Sequence, residues 1–324
     1  MDCLRGMAML MVVFCHVGAQ FCLDLQYAGV VPRVFNRCML PTFFFVSGFF
    51  SPLMMTMGEV IKRIVNVLLP TVVMFLAYVW CYFGSFEKLA YCAMGEYKWG
   101  YWFTFALTLM AVLHWMVNVV AGRAGKNRAW IVVLGLIGVS VLLIGVRSWD
   151  WQQNEARLTR WLSLRLVAMY FPFYVAGIVA KAKLGCFHRL IENEWVSAVA
   201  FFLFMVLVMK PGIGFCLGML LGALGVFLLY RVVYFYRGIL SERTIVGRQL
   251  AVIGRHTLPI YLLHYFLFLG LKLPDVGAFV DGEGRWVFSS LLTLTLTLLI
   301  AYTCVGIARL LSAIRPLHRL LLGK

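Results

Sequence analysis

Residues 1–20 read MDCLRGMAMLMVVFCHVGAQ, an apolar stretch that carries an arginine and a histidine, Arg5 and His16, eleven residues apart. On an α-helix this spacing is close to three turns, so both side chains lie on one face, about 16 Å apart along the axis. Ionisable groups are costly at membrane depth, and by default they mark a site or a pathway. The pair is therefore the first candidate for chemistry.

Nine further apolar runs follow this one, in a chain that is 63% hydrophobic, only 13% charged and has a mean hydropathy of +0.91. Most of the runs reach the roughly 18 residues that a helix needs to cross the hydrocarbon core. The ten runs without Asp, Glu, Lys or Arg are Gly6–Leu23, Cys38–Met57, Ile64–Phe86, Trp99–Ala121, Ala129–Val146, Leu166–Ala180, Trp195–Met209, Ile213–Tyr230, His256–Leu271 and Trp286–Ala308.

Backbone amides in lipid must bond within their own segment, so the runs are predicted to be helices. The sequence predicts an all-α, polytopic integral membrane helix bundle with about ten transmembrane helices and a single domain over residues 1–324. With the N-terminus inside, most of the 29 Lys and Arg fall on the cytoplasmic side, which favours an N-in/C-in orientation. Basic loops beside anionic lipid headgroups account for the net charge of +16, so no nucleic-acid partner is implied.

Three later segments carry polar groups that suit a site. Ser47 and Gly48 lie in LPTFFFVSGFF, residues 40–50, where Pro41 is expected to prevent a helix from starting further upstream. Either the two small residues allow close helix packing, or Gly48 admits a ligand to which Ser47 donates a hydrogen bond. Lys62 and Arg63 are either topology anchors or a cationic lip for phosphate groups.

The remaining candidates are histidines and their neighbours. Tyr261 and His264 form an i, i+3 pair that can meet on one helix face. His114 has no polar company in its own run and is interpreted as structural. No metal is predicted, because the histidines lack carboxylate partners within the runs and the nine cysteines include no CxxC pair.

Taken in order, these motifs resemble the membrane-bound acyltransferase 3 family, and in particular its fucose 4-O-acetylase-like sugar O-acetyltransferases. The resemblance runs from Asp2 to about Tyr265, with one departure at Asn66, where the family often has a second arginine. The segments that carry it are DCLRG at 2–6 followed by His16, LPTFFFVSGFF at 40–50, Lys62-Arg63, YWF at 101–103, YFPFYVAG at 170–177 and LPIYLLH at 258–264.

The resemblance implies a multi-pass protein of the bacterial inner membrane. Such a protein moves an acetyl group from cytoplasmic acetyl-CoA to a hydroxyl of a cell-envelope or secreted glycan, which is a carbohydrate or lipid-linked acceptor. It also implies that His16 is the catalytic group, preceded by Arg5, and that Ser47, Arg63, Tyr261 and His264 match the family's motifs.

A mechanism consistent with these residues has Arg5, Lys62 and Arg63 bind the acyl-CoA phosphates, while His16 acts as general base or as acyl carrier. Ser47, Tyr261 or His264 would donate a hydrogen bond to the thioester oxyanion. The alternative is a glycolipid or small-anion transporter or flippase. A third interpretation is a structural or sensory membrane subunit. Pro70 and Pro172 do not fall at matching places in two halves, which counts against a transporter built from inverted repeats.

Overall fold

The computed structural model of the chain describes residues 1–21, 30–123, 125–150, 157–210, 212–270 and 286–323. Helices and turns make up these residues, and no strand occurs among them. The α-helices are α1 (Asp2–Phe21), α2 (Val30–Phe49), α3 (Met57–Arg63), α4 (Leu69–Phe83), α5 (Leu89–Met94), α6 (Trp102–Val120), α7 (Arg128–Asp150), α8 (Arg157–Trp161), α9 (Leu164–Ala182), α10 (Leu184–Glu192), α11 (Glu194–Val208), α12 (Phe215–Phe235), α13 (Ile245–Arg255), α14 (Thr257–Gly270), α15 (Trp286–Ser312) and α16 (Arg315–Leu322), and a π-helical turn, Ile64–Leu68, joins α3 to α4.

Seven helical segments in the described part of the chain are long and apolar enough to cross a membrane. Two bent pairs, α10 with α11 at 74° and α13 with α14 at 79°, raise that number to nine if each pair is one span. The predicted helical membrane bundle is therefore confirmed, whereas the N-in/C-in orientation stays a prediction. The C-terminal ends of the predicted runs Gly6–Leu23 and His256–Leu271 lie outside the described residues.

The second apolar run differs from its prediction. Its helix, α2, begins at Val30 and ends at Phe49, so Pro41 lies inside the helix instead of limiting its start. Proline removes one i→i−4 hydrogen bond, and membrane helices tolerate this where side chains engage nearby carbonyls. Here the Thr42 hydroxyl donates to the Cys38 carbonyl at 2.7 Å. The expectation that Pro41 excludes an upstream helix was wrong.

The chain divides into two compact units, each described by itself below. Unit one comprises Met1–Phe43 and Gly185–Leu310, and unit two comprises Phe44–Leu184 and Leu311–Lys324. The expectation of a single domain over residues 1–324 stays a prediction.

Two glycines bring α1 and α13 together in unit one. A Cβ atom on Gly6 would lie 2.1 Å from the carbonyl oxygen of Leu250, and a Cβ on Gly254 would lie 2.0 Å from that of Asp2. Real Cβ atoms never approach an oxygen so closely, so each helix requires a glycine where it meets the other. Cys3 adds a side-chain contact, since its thiol lies 3.0 Å from the Leu240 carbonyl oxygen.

Unit two repeats this arrangement between α2 and α9. A Cβ on Gly48 would lie 1.8 Å from the Tyr174 carbonyl oxygen, and a Cβ on Gly177 would lie 1.9 Å from that of Phe45. Helices in lipid associate through close van der Waals packing, which small residues permit. Of the two interpretations of Ser47–Gly48, the geometry at Gly48 supports close helix packing.

A buried lysine joins two turns of unit two. The Lys98 side chain is 5% exposed. Its ammonium donates to the Trp161 carbonyl at 2.7 Å and to the Ser163 hydroxyl at 3.0 Å, while Ser163 donates to the Glu96 carbonyl at 2.8 Å. Lys98 and Ser163 both have left-handed backbones, with φ of 42° and 52°. The hydrogen bonds therefore hold two turns in conformations that side-chain-bearing residues rarely adopt.

We expect Gly48→Ala to lower the midpoint of thermal unfolding in detergent, because the added methyl meets a backbone carbonyl that cannot move without shifting α9. Overpacking of this kind costs about 1–3 kcal/mol. Gly138→Ala is the matched control, since a Cβ there meets nothing within 4 Å. Alanine favours a helix over glycine by about 1 kcal/mol, so the control is expected to unfold at the same or a higher temperature. Equal midpoints for the two variants would contradict the packing argument.

Lys98 gives a prediction about pH. Burial lowers the pKa of Lys98 from 10.5 to about 8, and the Glu96 carboxylate partly opposes this shift. Between these values the unfolded chain binds more protons at this side chain than the folded chain does, so raising the pH favours the folded state. The unfolding midpoint of the wild type is expected to rise relative to that of Lys98→Gln from about pH 8 to about pH 10. A difference that is flat or falls with pH would show that the ammonium is not desolvated.

Candidate active site

Two histidines and a tyrosine from distant parts of the chain meet in unit one. His16 lies on α1, and His264 and Tyr265 lie on α14. The Tyr265 hydroxyl is 3.1 Å from His16 Nε2. The ring centroids of His16 and His264 are 5.4 Å apart, and those of His264 and Tyr265 are 4.0 Å apart. Together the three side chains bring two imidazoles and a phenol within reach of one small substrate group, which is the equipment of general acid–base catalysis.

Because the chain bends between α13 and α14, His264 lies on a second helix that packs against α1. His256 ends α13, where its Nδ1 donates to the Val252 carbonyl at 2.8 Å. Pro259 follows in the first turn of α14, where a helix does not need the amide hydrogen that proline lacks. While α13 is fixed to α1 through Gly6 and Gly254, α14 turns by 79° and also contacts α1. The bend therefore supports the meeting of His264 with His16.

The His264 ring is held by its own helix. Its side chain is fully buried, and Nδ1 lies 2.9 Å from the Ile260 carbonyl oxygen, one turn earlier. A carbonyl can only accept, so Nδ1 carries the hydrogen. The other ring nitrogen, Nε2, is buried and has no hydrogen-bond partner among the described residues.

The other predicted residues of unit one lie at differing distances from this cluster. The Tyr261 ring centroid is 6.4 Å from that of His264, so the predicted i, i+3 pair do meet. Tyr265, which the sequence analysis did not single out, lies closer to both histidines. Arg5 is eleven residues before His16 on α1, and its Nη1 is 3.7 Å from an Asp2 carboxylate oxygen. Asp2 thus accompanies Arg5 and not His16.

A second polar cluster, in unit two, contains the predicted Arg63. Its Nη2 donates to the Ser51 hydroxyl at 2.5 Å, and Ser51 donates to the Ser47 carbonyl at 2.7 Å. Ser47 therefore joins the cluster through its backbone oxygen. Arg63 Cζ also lies 5.9 Å from the centroid of the Tyr174 ring.

Arg63 does not pair with Glu59, the acidic residue of its own helix, because the Glu59 carboxylate is bonded elsewhere. Glu59 closes a capping box with Thr56, accepting from its backbone N–H at 2.7 Å and from its hydroxyl at 3.0 Å. Within the described ranges no carboxylate oxygen lies within 4.0 Å of the Arg63 guanidinium. Lys62, its neighbour, is exposed. An arginine of this kind can bind a phosphate through a planar pair of hydrogen bonds.

Two further side chains, those of His114 and Tyr174, extend the Arg63 cluster. His114 Nε2 donates to the Leu53 carbonyl at 3.0 Å, and its Nδ1 lies 3.3 Å from the Tyr174 hydroxyl. The two partners of His114 come from other segments of the chain, so its own run could not reveal them. Both of its nitrogens are engaged, which is typical of a structural histidine. Tyr174 follows Pro172, a proline inside α9, in the segment 170–177 that carries part of the family resemblance.

No group of three or more His, Cys, Asp or Glu that could hold a metal occurs in the ranges that the structure describes. The residues that suit an anionic cofactor group are the arginines, Arg63 in unit two and Arg5 in unit one. Whether they bind acetyl-CoA stays a prediction.

Comparison with known proteins identifies the class of reaction. A family model described as an acyltransferase domain matches residues 1–308. Comparison with curated proteins and with solved structures finds no match. The family match covers almost the whole chain, including every candidate residue in both clusters. The chain therefore belongs to the acyltransferase 3 family and is a multi-pass membrane acyltransferase.

Proposed function

We propose that this membrane acyltransferase transfers an acetyl group from cytoplasmic acetyl-CoA to a hydroxyl of a cell-envelope or secreted glycan, in the manner of the fucose 4-O-acetylase-like enzymes. The bacterial inner membrane is the proposed location, with the N-terminus on the cytoplasmic side. The observation that supports this most directly is His16, an imidazole on an apolar helix, within 3.1 Å of a tyrosine hydroxyl.

The role of His16 follows from what acyl transfer requires. A hydroxyl becomes a competent nucleophile when a base takes its proton as it attacks, and an imidazole is well suited to this near neutral pH. An imidazole can also carry the acyl group itself between donor and acceptor. Either role places His16 in direct contact with the reacting atoms. Membership in an acyltransferase family favours the enzyme over the transporter or flippase alternative.

The anionic half of the donor is proposed to bind the arginines. Acetyl-CoA carries phosphates at the end remote from its thioester, and a guanidinium without a carboxylate partner suits them. Arg63 fits this description among the described residues, with Lys62 beside it. Arg5 is the proposed counterpart in unit one, oriented by Asp2.

His16→Gln is expected to reduce acetyl transfer by at least about 10²–10⁴-fold, whether the imidazole acts as general base or carries the acyl group. The measurement is label from [¹⁴C-acetyl]-CoA appearing in methyl glycosides, with purified protein in detergent. His318→Gln is the control, because His318 lies on α16 and belongs to neither cluster. Transfer by a monodisperse His16→Gln protein at a rate close to wild type would refute the assigned role.

Arg63→Gln is expected to raise the KM for acetyl-CoA by about 10–100-fold, as loss of a charged hydrogen bond implies. The KM for S-acetyl-N-acetylcysteamine, a thioester donor without phosphates, should stay unchanged. Arg189→Gln, on the exposed side of α10, is the matched loss of one positive charge. A similar rise with both donors would mean that Arg63 shapes the protein and does not bind phosphate.

A further inference from the structure

One ring nitrogen of His264 takes no part in the packing of the cluster, and the role that we assign to it below rests on the proposed acyl transfer. Buried polar atoms almost always have a hydrogen-bond partner, so an exception calls for an explanation. His264 Nε2 is such an exception among the described residues, in a side chain with 0% exposure. Because Nδ1 carries the hydrogen that faces the Ile260 carbonyl, Nε2 of the neutral ring presents a lone pair. The partner it lacks is a hydrogen-bond donor.

His16 differs from His264 in this respect. One of its nitrogens, Nε2, already lies 3.1 Å from the Tyr265 hydroxyl. To take a proton through that nitrogen, His16 would first have to give up Tyr265. His264 has no such competitor, although its ring lies only 5.4 Å from the His16 ring. Within this cluster, His264 Nε2 is a buried imidazole nitrogen without a hydrogen-bond partner among the described residues.

We infer that His264 Nε2 is the general base that removes the proton from the acceptor hydroxyl during acyl transfer. The unpartnered lone pair of Nε2 would accept a hydrogen bond from that hydroxyl and position the hydroxyl oxygen beside His16. This assignment replaces the expectation that His264 donates to the thioester oxyanion. The neutral ring has its single hydrogen on Nδ1, which is held by Ile260, so Nε2 has none to donate.

The step balances whichever route the acyl group takes. As the acceptor oxygen attacks the acyl carbonyl carbon, the C–O bond forms and the hydroxyl proton moves to His264 Nε2. In direct transfer the C–S bond breaks, and the proton then passes from His264 to the CoA thiolate. If His16 carries the acyl group, its nitrogen first attacks the thioester carbon, the C–N bond forms as the C–S bond breaks, and the N–H proton of His16 passes to the CoA thiolate. The acceptor oxygen then attacks the same carbon, the C–N bond breaks, and the freed His16 nitrogen receives the hydroxyl proton from His264. No oxidant, metal or further reactant is needed.

His264→Asn removes the proposed base but keeps the hydrogen bond to the Ile260 carbonyl. The asparagine amide nitrogen occupies the place of Nδ1 and can still donate to the Ile260 carbonyl, whereas nothing replaces Nε2. His264→Asn is therefore expected to fold and to lose about 10²–10⁴-fold in acetyl transfer to methyl glycosides. His264→Gln, which places an amide near the position of Nε2 but supplies no base, is expected to lose as much. The pH profile of kcat/KM should also lose the limb that reports the protonation of this base.

A second acceptor keeps the test independent of folding. Hydroxylamine attacks a thioester through an unprotonated nitrogen and does not need a base to remove a proton first. After subtraction of the uncatalysed reaction, His264→Asn is expected to retain hydroxylamine acetylation within about threefold of wild type, because the base contributes little to that reaction. A variant that loses both acceptors equally, or neither, would overturn the assignment.

The controls distinguish this inference from the function on which it rests. If the wild type acetylates neither methyl glycosides nor hydroxylamine, the proposed function fails and the assignment fails with it. If the wild type is active and His264→Asn acetylates methyl glycosides at a similar rate, only the assignment to His264 fails. Full loss in His16→Gln beside full activity in His264→Asn would make His16 the base.

Discussion

The architecture depends on helices that meet where a glycine of one lies against a backbone carbonyl of the other. Lipid gives apolar side chains little reason to prefer each other over acyl chains, so close contact must supply the association energy. Gly6 and Gly254 bring α1 onto α13 in this way, and Gly48 and Gly177 bring α2 onto α9. Because these contacts are with backbone atoms, a methyl group at any of the four positions would force whole helices apart.

Each unit contains a histidine whose ring is hydrogen-bonded to a backbone carbonyl, but the two histidines differ in the partner of the second ring nitrogen. His114 donates to the Leu53 carbonyl and meets the Tyr174 hydroxyl, so both nitrogens are engaged. His264 donates to the Ile260 carbonyl, and its second nitrogen has no partner among the described residues. Engagement of both nitrogens is typical of a histidine that stabilises packing, whereas the unpartnered nitrogen of His264 is the one to which we assign the proposed proton transfer.

Arg5, Lys98 and Arg63 differ in the groups that offset the cost of placing a charge near apolar surroundings. Arg5 lies 3.7 Å from Asp2, an acid one turn away. Lys98 is buried but donates to a carbonyl and a hydroxyl, which hold two strained turns together. Arg63 donates to Ser51 and meets no carboxylate in the described ranges, because Glu59 caps its own helix. Of the three, Arg63 has the electrostatics of an anion-binding group.

The sequence by itself determined the helical membrane class, since long uncharged runs leave the backbone no alternative in lipid. It also singled out His16 and His264 as polar groups within apolar runs, and Arg63 as a cation at the start of one. Only the tertiary structure could supply the partners, because Tyr265 reaches His16 across 249 residues and His114 reaches Leu53 across 61. Periodicity describes which residues share one helix face but not which helix lies opposite. Whether a helix runs through Pro41, and whether a nitrogen of His264 finds a partner among the described residues, likewise cannot be read from apolar periodicity, because each depends on the hydrogen bonds of single side chains in the folded protein.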